Sequence, residues 1–162
     1  MAGKKGLPGH IIISKIQAEM VAMTKPGIKT IEIDKKAEQL LKQYGAKSFN
    51  KGYHPKWALK PYPATTCINI NNVIAHGIPG EDILNDGDIV SYDLGIIDAF
   101  GNCADAATSV GVGEISTAKR RLLYYAYQTM MEGVRQLVPG ANTETIAKNI
   151  KPAASKSKNF FF

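Results

Sequence analysis

Asp93 and Asp105 are the residues of this sequence whose types and spacing are best suited to chemistry. Ile89 to Ile96 alternates, with Val90, Tyr92 and Leu94 on one side and Ser91, Asp93 and Gly95 on the other. Asn102 to Gly111 reads as its partner strand, with Asp98 to Asn102 at the bend. The midpoint between the two aspartates falls at Ala99, inside that bend. The spacing therefore predicts two carboxylates facing each other across a hairpin, on one side of the sheet. Opposed carboxylates repel. A proton, a cation or displacement to different neighbours must compensate, and a divalent ion bridged by the pair is one solution. The alternative is that one or both lie exposed near the bend. His76, at the end of Ile74-Ala75-His76, is a third candidate whose meaning depends on its company.

The charge distribution suits a cation in this region. The chain has 162 residues and a net charge of +6, but residues 61–114 hold eight acids and no Lys or Arg. A fixed cation nearby would compete with a bound metal ion. Residues 1–60 carry twelve Lys against four acids, and the last 48 residues carry eight bases against two. These basic ends read either as solvated helices or as a surface attracted to a polyanion such as ribosomal RNA.

The elements that must position these residues follow from pattern and punctuation. Ile12, Ile13, Ile16, Met20 and Met23 predict a helix over His10 to Thr24, ended by Pro26-Gly27. Thr30 is placed to cap a second helix with Ile33, Ala37, Leu40 and Leu41 on one face, stopping at Gly45. Residues 47–64, rich in Lys, Pro and aromatics, read as an irregular loop. Thr65 to Ile70, Asn71-Asn72 and Val73 to His76 read as a hairpin. Ser116 or Thr117 opens a long helix whose stripe of Leu122, Leu123, Ala126, Tyr127, Met130, Met131, Val134 and Leu137 reads as core. Pro139-Gly140-Ala141-Asn142-Thr143 repeats the pattern Pro26-Gly27-Ile28-Lys29-Thr30 with an offset of 113 residues, which reads as an internal repeat. A domain over residues 1–150 and an irregular tail over 151–162 are expected.

At 162 residues the chain fits one domain with its own core. No apolar run approaches the length of a membrane span, so no membrane partner is expected. Two cysteines make no disulfide framework, and without a signal segment Cys67 and Cys103 are expected as thiols in the cytoplasm.

The run from Tyr62-Pro63-Ala64-Thr65-Thr66-Cys67 through Ile74-Ala75-His76-Gly77-Ile78-Pro79 carries a further signal. With Asn85-Asp86-Gly87-Asp88-Ile89-Val90, Tyr92-Asp93-Leu94-Gly95 and Ala104-Asp105-Ala106-Ala107, it closely resembles type I methionine aminopeptidase, over about residues 10–150. The resemblance implies an α+β architecture: half of a pita-bread fold, an antiparallel sheet with helices packed on one face. That fold holds two related halves around a dinuclear centre and removes initiator methionine from peptides. By resemblance, Asp93 and Asp105 match the first two metal-ligating carboxylates, and His76 matches a histidine that contacts the scissile peptide. Tyr62 and Cys67 match positions lining the methionine pocket, with simple core packing as the other reading. The ion implied is divalent: Mn, Co, Fe, Zn or Mg.

The departures are as informative. The family's second half supplies one histidine and two glutamates to the metals. No counterpart is found here, where the only histidines are His10, His54 and His76. One extra residue separates Asp93 from Asp105, which a bulge at Asp98–Asn102 could absorb. Three readings follow: a homodimer whose copies form a composite metal site, a binding module without catalysis, or a truncated inactive fragment. The first is preferred, with turnover left open.

Overall fold

In the computed structural model, which describes residues 6–155, everything before Glu114 is arranged around one strand, β3 (Ile89–Ile97). The helices and strands in chain order are α1 (Gly9–Met23), α2 (Thr30–Tyr44), β1 (Lys47–Ser48), β2 (Cys67–Ile70), β3, β4 (Cys103–Gly111), α3 (Thr117–Val134) and α4 (Thr143–Ser155). β4 runs antiparallel along one edge of β3, from Ile89 opposite Gly111 to Ile97 opposite Cys103. β1 and β2 share the other edge, β1 at Ile96–Ile97 and β2 at Val90–Asp93.

The alternation in β3 sorts the sheet into two faces. Val90, Tyr92, Leu94 and Ile96 are fully buried on the inner one. α1 packs there against β3 and β4, and α2 packs against α1 and β1. Ile12, Ile16, Met20, Ile33 and Ala37 complete that core with no exposed surface. The outer face carries Cys67, Asn69, Ser91, Asp93, Gly95 and Asp105, and no helix of this unit covers it.

The two N-terminal helices form as their patterns predict, but their caps differ. Lys29, not Thr30, occupies the N-cap of α2, and no side chain caps it. The amides of Thr30 and Ile31 instead donate to the carbonyls of Asp82 and Gly80, at 2.9 and 3.0 Å. The Thr30 hydroxyl accepts from Gly80 N at 2.9 Å and so ties the helix to the loop before β3. Gly45 ends α2 in the left-handed region, at φ 66°.

The predicted return strand over Val73–His76 does not form. β2 pairs with β3 instead, because Asn71 reverses the chain at φ 50° and binds the start of β3. Its amide donates to Ile89 O at 2.9 Å, and its Oδ1 accepts from Ile89 N at 3.1 Å. β2 also begins two residues later than predicted. Asp34 takes the amides of Thr65 and Thr66, at 3.1 and 2.8 Å.

The extra residue before Asp105 is absorbed outside the ladder. Asp98 N donates to Asn102 O and Gly101 N to Asp98 O, with Gly101 at φ 89°, a three-residue connection of the bulge type. Asp98 Oδ1 accepts from the amides of Phe100 and Asn102, both at 2.9 Å. Its Oδ2 accepts from Gly9 N at 3.0 Å, so the turn caps α1, whose own N-cap, Pro8, offers no side-chain acceptor. Burial pushes the Asp98 carboxyl up, but the bonds from Asn102, Phe100 and Gly9 outweigh it and hold it below the usual carboxylate range. A depressed folded value contributes stability that is complete above the unfolded value of about 3.9 and is lost as pH falls through the folded value. Asp98→Asn should therefore lower the urea midpoint at neutral pH, and the deficit should shrink as the pH drops below about 4.

From Ile115 onward the chain forms a second compact unit. Ser116 caps α3, its hydroxyl accepting from Lys119 N. The stripe on α3 was expected to be core, yet no α3 residue is buried: Tyr127 and Met130 are 54% and 52% exposed. Two helices alone do not enclose an apolar face, and α3 has only α4 to pack on within the unit. Ile146 and Ile150 of α4 lie against α3 at Gly133. Asn142, rather than Thr143, caps α4, its Oδ1 accepting from Glu144 N at 2.8 Å. The repeated punctuation has the same backbone form, with Gly27 and Gly140 at φ 90° and 83°. Residues 151–155 of the expected irregular tail are helical, since α4 continues through Pro152 to Ser155, and the rest of that tail lies outside the described residues.

Candidate functional site

The register of β3 and β4 decides how the two aspartates meet. Asp93 lies opposite Ala107, and Asp105 lies opposite Gly95. They share the outer face but sit on a diagonal rather than directly across from each other, which corrects the opposed geometry expected from the midpoint. The three-residue connection shifts the pairing by two positions, and an even shift preserves the face. The residues opposite the carboxylates, Ala107 and Gly95, are small. Phe49 lies against Gly95, where any Cβ would collide with its ring.

Cys67 is directly opposite Asp93 on the other side. It is buried, and Asn50 Nδ2 lies 3.9 Å from its sulfur. Burial pushes the Cys67 thiol up, and the charges of Asp93 and Asp105 add to this, while the Tyr62 hydroxyl and the His76 amide oppose it. The net shift is upward, so the thiol stays protonated near neutral pH. Tyr62 is half-buried, and its hydroxyl faces two carbonyls, Thr66 O at 3.0 Å and Gly77 O at 2.8 Å. Burial first, then the neighbouring thiol, raise its phenol far above the ordinary value. Burial also raises the Asp93 carboxyl, with the Asp105 charge second and His76 opposing. The five residues singled out in the sequence thus gather on one side of the sheet.

His76 is held in an unusual way. It is exposed and takes φ 57°, the left-handed region that non-glycine residues seldom occupy. The following residue fixes it. Gly77 N donates to Asn69 Oδ1 at 2.8 Å, and Gly77 O accepts from Ile68 N at 3.0 Å. A Cβ at Gly77 would strike the Ile68 carbonyl and the Asn69 amide. Gly77→Ala should cost about 2 kcal/mol and displace the His76 ring resonances in an NMR spectrum. Unchanged resonances would show that Gly77 does not position His76.

Asn69, Asn50 and Phe49 also belong to this face, and sequence reasoning missed them. Asn69 was detectable, since it alternates with Cys67 in β2. Asn50 and Phe49 enter from an irregular loop that shows no periodicity.

The donor set fits a cation only in part. Two carboxylates share a face, and Asp105 pushes Asp93 toward its proton, a strain that a bound cation would relieve. Among the described residues, however, no group of three or more His, Cys, Asp or Glu could hold a metal ion.

Comparison with known proteins places the fold and this face in context. The chain belongs to metallopeptidase family M24, whose profile matches residues 9–162. Within that family it is similar to methionine aminopeptidase 1 of Bacillus subtilis (strain 168), 33% identical over 140 residues, covering 86% of this chain and 54% of the relative. It is also similar to the methionine aminopeptidase of Clostridium perfringens (strain 13 / Type A), 38% identical over 112 residues, covering 69% and 42%. The chain spans about half the length of these curated relatives. A solved methionine aminopeptidase from Streptococci superposes with a TM-score of 0.84 at 21% identity, over 91% of this chain and 60% of that one. The architecture is accordingly α+β and of the pita-bread type. No helix among the described residues is long and apolar enough to cross a membrane.

Proposed function

We propose that this chain supplies one half of a metal-dependent aminopeptidase site acting on peptides with an N-terminal methionine, and that a second copy supplies the other half. The observation carrying this reading is the placement of Asp93 and Asp105 on one sheet face, the one opposite α1. Two copies docked about a two-fold axis would present four carboxylates to a shared centre. A divalent ion held there would supply polarisation of the scissile carbonyl and a water of lowered pKa. The remaining work falls to the chain itself. His76, fixed by Gly77 and exposed, is available to contact the peptide beside the bond to be cut. The protonated Cys67 thiol and the edge of Tyr62 offer a soft, uncharged flank for a methionine thioether.

The test is hydrolysis after dialysis against a chelator. With Mn²⁺ restored, the protein should release free methionine from Met-Ala-Ser and nothing from Leu-Ala-Ser. Mn²⁺ bound without methionine release would instead favour a binding module.

A further inference from the structure

The loop between β1 and β2 lends Phe49, Asn50 and Tyr62 to the site face, but its tip, Tyr53 to Pro61, has no part in the proposed site, and the backbone there is closed on itself. Gly52 N donates to Tyr62 O, and Tyr62 N to Tyr53 O, both at 2.8 Å, forming a neck. Ala58 N donates to Pro55 O at 2.9 Å across the turn, and His54 Nε2 lies 3.0 Å from Ala58 O. This ordered loop presents its largest apolar side chains to water. Trp57 is 82% exposed and Leu59 is 99% exposed.

Charge surrounds these two residues with one sign. Lys56 and Lys60 flank them, both exposed and without an ion pair among the described residues. No acid occurs between Glu38 and Glu81, and Glu38 is already engaged by Lys42 and Lys51, at 3.1 and 3.0 Å. Two lysines beside an apolar tip, with no acid in the surrounding sequence to pair with them, fit a partner that is apolar beneath and anionic at its surface. A single-stranded nucleic acid would stack on Trp57 but leave Leu59 in water. A lipid surface takes both.

We propose that Trp57 and Leu59 insert into the interface of an anionic bilayer while Lys56 and Lys60 engage its headgroups. The contact is peripheral, so it does not require a spanning segment. It combines two signals, each weak alone, as reversible membrane association does.

Trp57 is the only tryptophan in the chain, so its emission reports on the loop directly. Titrating the full protein with phosphatidylserine-containing vesicles should shift that emission to shorter wavelength. Pure phosphatidylcholine vesicles, or high salt, should give a much smaller change. Leu59→Asn keeps the fluorophore and should weaken partitioning roughly tenfold. Lys56→Gln with Lys60→Gln should weaken it about 25-fold, at roughly fivefold per charge. Circular dichroism identical to the parent establishes that the variants fold. No shift with anionic vesicles would overturn the proposal, as would a shift that both variants retain in full. Quenching by a single-stranded oligoadenylate without any vesicle response would assign the loop to nucleic acid instead.

Discussion

Replacing Asp34 with alanine should lower the unfolding free energy by about 3 kcal/mol, a large loss for a single side chain. Asp34 lies on α2 and is only 5% exposed. One of its oxygens accepts three hydrogen bonds, from Thr65 N at 3.1 Å and from Thr66 N and Thr66 Oγ1 at 2.8 Å each. Thr65 and Thr66 are buried too, so alanine would leave those donors dry and unpaired. Asp34→Asn keeps a carbonyl oxygen at the same place and should recover at least half of the loss. Urea unfolding with an unchanged m-value measures both variants. A loss under 1 kcal/mol for Asp34→Ala would mean that water replaces the carboxylate. The effect reaches the site, because Thr66 leads directly into Cys67 and its pairing with Asp93.

Asp105→Asn should weaken Mn²⁺ binding by at least about a hundredfold, since loss of even an outer-shell partner costs 10–100-fold. Calorimetric titration reads this directly. The same substitution should act in the metal-free protein, where removing the Asp105 charge lets the Asp93 carboxyl titrate lower. Burial is the larger cause of the Asp93 shift and remains, so the carboxyl should stay above the usual range. NMR titration of the Asp93 carboxyl provides the check. Retained stoichiometric Mn²⁺ binding in the variant would contradict the role given to Asp105.

What could be read from the sequence was local and periodic. The alternation in β3 gave the buried side, and the parity of the spacing put Asp93 and Asp105 on one face. The helical stripes located α1 and α2 to within a residue or two. What could not be read was non-local. The diagonal offset of the aspartates depends on the three-residue turn at Ala99–Gly101, whose type is set by the conformation of Gly101 and the grip of Asp98 on α1. The fate of Val73–His76 depended on Asn71, which turns the chain and ties the end of β2 to Ile89 at the start of β3, a contact 18 residues away in sequence. The stripe on α3 specified an apolar face, but amphipathicity does not say whether anything covers it. Asp34, Asn50 and Phe49 reach the site region across the fold, where no sequence period connects them to it.

The central claim is that two copies of this outer face form one site, and light scattering with and without Mn²⁺ tests it most directly. A solution mass near twice that of one 17.6 kDa chain, strengthened by Mn²⁺ and weakened in Asp105→Asn, is the predicted result. A mass of one chain, unchanged at saturating Mn²⁺, would contradict it.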